Sequence, residues 1–206
     1  MVKPVLQVRK QPVAINPGNF YKLGPVKKTI ILITFFMSCL ASYGQFSKAS
    51  LQATGLTCAL CSNAINKALG KLPFIQSVDA DIKHSSFAII FKPGSVVSPD
   101  AIMDAVEGAG FSVGGLELTG TFQQLSIDKD QHVKIGQSEY HFVNTSNQVL
   151  NGEKTIRIVD KNFLTQKEFK KISATVKAGC LQTGRAASCC IKDGLAEGIR
   201  IYHVTL

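Results

Sequence analysis

No tryptophan occurs in the 206 residues, and aromatic residues make up 8% of them. No stretch interleaves basic with aromatic side chains, which removes the stacking-plus-phosphate pattern of a nucleic-acid binder. Phosphate-cradling glycine loops, dinucleotide fingerprints and nucleophile elbows are missing, so the motifs of nucleotide and acyl-transfer chemistry are not there. Asp79 and Asp81 fall at ordinary surface spacing on one strand, not as an acid–base pair. Internal repeats and low-complexity tracts are absent as well. Nothing in the sequence indicates an enzyme.

Acidic residues are missing from the first 45 positions, where Lys3, Arg9, Lys10, Lys22, Lys27 and Lys28 lie. The formal charge of +9 therefore belongs mostly to the N-terminus; the other 17 basic residues face 14 acidic ones. Lys27-Lys28 leads into TIILITFFMSCLA and then Ser42-Tyr43-Gly44, which is signal-peptide order: charge, apolar run, small-x-small end. The run is shorter than the ~20 apolar residues of a comfortable membrane span. Residues 1–44 are thus expected to be an N-terminal extension and export signal, with the first 25 residues upstream of a start at Val26. Phe36-Met37-Ser38-Cys39 loosely matches a lipobox, so Cys39 is a candidate for lipidation and membrane anchoring. The expected location is the periplasm or cell envelope, where thiols oxidise unless a metal or reductant protects them.

Residues 48–118 read as one unit. Leu51 and Ala53 alternate with polar neighbours as a strand. Cys61, Ile65, Ala68, Leu69 and Leu72 then fall on one helical face, which Gly70 and Pro73 close. Val78, Ala80 and Ile82, and then FAIIF at 87–91, make two strands around the turn Lys83–Ser86. Ser98-Pro99-Asp100 starts a second helix whose buried face is Ile102, Ala105, Val106 and Ala109, and Phe111–Leu118 returns as a strand. The order βαββαβ is the ferredoxin-like plan. After a short linker near Gly114-Gly115 to Gly120, residues 121–206 are expected to form a small α+β or OB-like β-rich domain of unknown role. Its parts are the strand runs QLSID, EYHFVN and KTIRIV, a helix opened by a Thr165/Glu168 capping box, and the closing strand IRIYHVTL. The fold class is α+β.

The committed chemistry lies in GLTCALC, residues 55–61. Cysteines three apart at a helix start have Cβ atoms ~5–6 Å apart, so both sulfurs can address one ion. The helix N-terminus favours thiolate. Two thiolates suit a soft d¹⁰ ion of low coordination, Cu(I) first, whereas a closed zinc site wants four ligands. Zn, Hg and Cd are also accepted by such a pair. Two ligands leave positions open to an incoming thiol, which suits exchange with a thiol-bearing donor or acceptor protein. A dithiol redox pair and a plain structural disulfide are the competing readings. The loop lacks the Trp and inter-cysteine Pro of thioredoxin-like redox sites.

GLTCALC, its helix and SPDAIMDAVEGAGFSV at 98–113 resemble the heavy-metal-associated domain family. That family comprises copper chaperones, the N-terminal domains of copper-pumping ATPases and periplasmic mercury scavengers. The resemblance covers residues 48–118 and implies that Cys58 and Cys61 are the metal ligands. Leu56 stands where the family motif has Met, with similar volume for core packing. Phe111 stands where the family carries an aromatic or Lys near the metal loop.

Two readings of the whole chain follow. One is an exported protein that transfers or scavenges a soft metal through its CxxC pair. The other is an interaction module of a membrane-associated assembly. Cys180, Cys189 and Cys190 with His203 form a second constellation. It is either a disulfide from Cys180 to one of the pair or a second soft-metal site. By strand parity His203 is expected to face solvent, and His84, His132 and His141 are expected at the surface or at strand edges. Edman sequencing of exported protein is expected to begin at Gln45, and a lipidated Cys39 start would mark an anchored form instead.

Overall fold

The computed structural model describes residues 46–56 and 59–206. The signal segment, the start at Val26, Cys39 and Cys58 lie outside these residues. β1 (Phe46–Thr54) turns Ala49, Leu51 and Ala53 inward and leaves Ser50 and Gln52 exposed, the period of a strand covered on one face. α1 (Ala59–Gly70) buries Ile65 and Leu69 completely. β2 (Ile75–Asp81) and β3 (Ser86–Phe91) follow, and β3 sends Phe87, Ile89 and Phe91 into the core. In α2 (Pro99–Gly108) the Ser98 hydroxyl accepts a hydrogen bond from the Ala101 N–H at 3.2 Å, with Pro99 in the first turn. That cap satisfies one of the otherwise orphaned donors of the helix start.

β4 (Ser112–Ile127) completes an antiparallel set in the order β2-β3-β1-β4, which is the ferredoxin-like arrangement expected from sequence. α1 and α2 press Ile65, Leu69, Ile102 and Val106 into the same core as Leu51, Ile89 and Leu116.

The expected linker is not a linker. Gly114, Gly115 and Gly120 all lie inside β4, a strand of 16 residues. Gly114 marks a register shift against β1, where Ala53 faces Val113 and Gln52 faces Gly115. A Cβ at Gly114 would stand 2.7 Å from the Thr54 side chain, so the residue is glycine because two strands approach closely at a bulge.

Nor do the later strands close an OB-like barrel. β5 (His132–Ile135), β6 (Ser138–Phe142), β7 (Gln148–Ile158) and β8 (Ile201–Thr205) extend the same sheet, giving β2-β3-β1-β4-β7-β8-β6-β5. The reason is the length of β4: beyond β1 it still offers an unpaired edge, which β7 fills from Leu116 to Ile127. β6 runs parallel to β8, a pairing that needs a long crossover, here residues 143–200.

Phe46 meets Phe122 and Tyr140 edge-on at 6.4 and 5.8 Å, so aromatic packing also runs across the expected boundary. The Thr165/Glu168 capping box forms as expected and opens α3 (Gln166–Thr175), which buries Phe169. Two short helices, α4 (Cys180–Thr183) and α5 (Ser188–Ile191), lie in the crossover. Among the described residues no helix is long and apolar enough to cross a membrane.

Leu118 is fully buried within β4, between partners on β1 and β7. Leu118→Ala is expected to cost about 2–5 kcal/mol. Urea unfolding followed by circular dichroism and by tyrosine fluorescence should move as one transition, because the strand belongs to both ends of the sheet.

Candidate metal centre

The metal loop grows from the end of β1. Gly55 has φ +84°, the left-handed region that glycine enters without strain, and it turns the chain beside the Phe111 ring, 3.9 Å from where a Cβ would be. Leu56 and Phe111 both pack on the edge of the main core, which bears out the packing role expected for Leu56. Cys61 is half-buried in the first turn of α1. Among the described residues no carboxylate occupies that turn, where the positive end of the helix dipole lies. Leu60 beside it is 79% exposed, a large apolar side chain turned to solvent at the loop.

The second constellation is drawn together. Cys180 and Cys190 are fully buried, Cys189 is exposed, and no disulfide joins the three. His203 is also fully buried, and His141 nearly so, contrary to the surface positions expected for both. His132 joins them, its side chain only 6% exposed; His84 alone stays in solvent, paired with Asp81 at 2.7 Å. The parity argument placed His203 with Ile201 and Thr205 correctly, but the α4–α5 segment covers that face, and strand periodicity carries no information about what lies above a sheet.

Asp160, which the sequence did not single out, organises this region. Its Oδ1 accepts from the His203 backbone N–H at 3.0 Å and from His203 Nδ1 at 2.7 Å. Its Oδ2 accepts from Arg200 Nη1 at 2.7 Å. Arg200 also donates through Nε and Nη2 to both oxygens of Asp100, at 2.9 and 2.8 Å, and lies 4.1 Å over the Tyr202 ring. A buried carboxylate is thus neutralised by a guanidinium that ties α2 to the start of β8. The sequence signal available was faint: His141 and His203 each lie in an apolar strand, in YHF and YHV.

Burial drives the His141 imidazole down to about 4, helped by the neighbouring His132 and His203, so it is neutral near pH 7. Burial and the adjacent thiols of Cys189 and Cys190 hold the Cys180 proton well above the ordinary thiol range. Cys189 goes the other way. Burial opposes it, but hydrogen bonds from the Cys180 backbone and from both neighbouring thiols favour its thiolate.

Residues 50–112 match the family model described as the heavy-metal-associated domain, and this segment of the chain is such a domain. Over 71 residues the chain is 34% identical to the probable copper-transporting ATPase HMA5 of Arabidopsis thaliana, a match covering 34% of this chain and 7% of that protein. Over 63 residues it is 36% identical to mercuric reductase of Shigella flexneri, covering 31% of this chain and 11% of that one. The chain thus spans a small part of the length of these relatives. The CopZ metallochaperone structure aligns with 32% of this chain and 98% of its own, at 25% identity and a TM-score of 0.31.

Arg200→Ala strands the Asp160 carboxylate in a buried place and is expected to cost about 3 kcal/mol in denaturant titration. Arg200→Lys should recover less than half of that loss, because an ammonium cannot span both carboxylates.

Proposed function

We propose that the heavy-metal-associated segment carries Cu(I) on Cys58 and Cys61 and that the exported protein transfers or scavenges the ion rather than catalysing a reaction. The observation that carries this reading is the position of Cys61: the first turn of α1, after the glycine turn from β1, in the part of the chain that matches the domain model. The relative named as a copper-transporting ATPase supports copper as cargo, and the mercuric reductase relative makes Hg(II) the second ion for the same two sulfurs.

Mechanistically, the helix end favours two thiolates, and two sulfur ligands satisfy a d¹⁰ ion while leaving it open to attack. A partner's thiolate can add to the ion before either cysteine leaves, so the cargo passes without being released to water. Leu60, exposed beside the loop, offers apolar surface to that partner. The partner is a thiol-bearing donor or acceptor in the cell envelope.

In competition with a chromogenic Cu(I) chelator, reduced protein is expected to withhold one more equivalent of Cu(I) than the Cys58→Ser, Cys61→Ser variant. Equal uptake by the two proteins would end the reading.

A further inference from the structure

The histidines of β5, β6 and β8 form a ladder. Strand pairing sets His132 opposite His141 and His141 opposite His203, so the three project from one face in a row. The rings of His132 and His141 stack with centroids 4.1 Å apart, and those of His141 and His203 are 5.2 Å apart. The crossover segment lays Cys180 against this row, with Cys189 and Cys190 beside it. Cys180 Sγ lies 3.1 Å from His203 Nε2 and 3.9 Å from His141 Nδ1. Cys189 Sγ lies 3.4 Å from the sulfurs of both Cys180 and Cys190. Two triads result, His141–Cys180–His203 and Cys180–Cys189–Cys190, each with its donor atoms within 4.8 Å of one another, and Cys180 belongs to both.

Several features distinguish this cluster from a hydrogen-bonded core. Buried polar atoms in folded proteins are nearly always paired. Here the Nε2 atoms of His141 and His132 are buried with no hydrogen-bond partner. Thiols are weak donors and weak acceptors, so three of them together satisfy little. His203 is already oriented: its Nδ1–H donates to Asp160 Oδ1, which turns Nε2 toward Cys180. A carboxylate holding the far nitrogen is how proteins fix the tautomer and raise the basicity of a ligating histidine.

The spacing of the sulfurs suits one ion as well. Donors bound at ~2.0–2.3 Å in a tetrahedron lie roughly 3.3–3.8 Å apart; Cys189 Sγ is 3.4 Å from each of the other two sulfurs, and His203 Nε2 adjoins Cys180 at 3.1 Å. A cavity of about 470 Å³ lined by His132, His141, Cys189 and Asp193 gives an ion access from solvent.

We propose that Cys180, Cys189 and Cys190 form a second metal site, separate from Cys58 and Cys61, for a thiophilic d¹⁰ ion of the zinc(II) class, and that the His203 imidazole, which adjoins Cys180, completes the set as the ion draws the donors together. Three clustered sulfurs with an oriented nitrogen next to one of them offer zinc the number of ligands it wants, unlike the two of the loop pair. His141 stands beside the site as an additional nitrogen donor. On binding, each thiol loses its proton to solvent as its sulfur takes up the ion, and His203 binds through the Nε2 lone pair of its neutral ring. No oxidation or reduction is involved. The site would hold the α4–α5 segment on the sheet, and it does not depend on the loop pair binding copper.

The test uses the full chain, reduced, carrying Cys58→Ser and Cys61→Ser, titrated with Co(II) as a spectroscopic probe and then with zinc(II). One equivalent of Co(II) is expected, with thiolate-to-cobalt charge transfer in the near ultraviolet and the strong visible bands of four-coordinate cobalt. One equivalent of zinc should displace it. Cys189→Ser, a change at an exposed residue that leaves the fold in place, should lower Co(II) affinity at least about tenfold. His203→Gln should shift the visible bands. If Cys180→Ser does not fold, Cys189→Ser still decides the matter. Absence of Co(II) uptake, uptake without charge transfer, or uptake indifferent to Cys189→Ser would each overturn the site and leave a packing cluster. Because the loop cysteines are gone in this background, none of these results bears on whether they bind Cu(I).

Discussion

The structure depends on one strand with two sets of partners. β4 hydrogen-bonds to β1 along its first half and to β7 from Leu116 to its end at Ile127. A strand must satisfy its backbone donors and acceptors on both edges when it is buried. A ferredoxin-like unit ending at Leu118 would leave the outer edge of β4 open, and β7 closes it. Everything beyond then follows as sheet extension, with β8, β6 and β5 adding in turn. Leu116 and Leu118 point into a core shared with Ile156 and Ile158, so the metal-domain plan and its extension fold around common apolar side chains.

The second organising element is polar. Asp160, Arg200 and Asp100 bring two carboxylates to one guanidinium at a place where all three are at least partly removed from water. Burying such a set costs desolvation energy that its mutual attraction only partly offsets. Its contribution is therefore geometric more than energetic. Arg200 fixes where Asp160 points, Asp160 fixes the His203 ring, and the ring meets Cys180. Gly184 allows this: its φ is +65°, and any Cβ there would run into the Arg200 guanidinium.

How far the sequence could be read depended on the range of each interaction. The Ser98 cap, the Thr165/Glu168 capping box and the alternation of β1 and β3 were all legible, because the groups involved lie within four residues of one another. Gly114 and Gly115 misled, because glycine at a bulge and glycine in a linker look alike until the neighbouring strand is present. The histidine row was out of reach, since its members lie 9 and 62 positions apart and meet only through the registers of β5–β6 and β6–β8.

By itself, then, the sequence determined the βαββαβ order, the helix starts and the placing of Cys61 in the first turn of α1. Each of these rests on local periodicity or on a contact within one turn. Tertiary structure alone decided that the chain continues as a single sheet, that His141 and His203 are buried, and that three thiols from the crossover gather with one of them, Cys180, against those rings. Those outcomes come from which strand edge is left unpaired and which segment covers a face, and both are properties of the assembled sheet rather than of any stretch of chain.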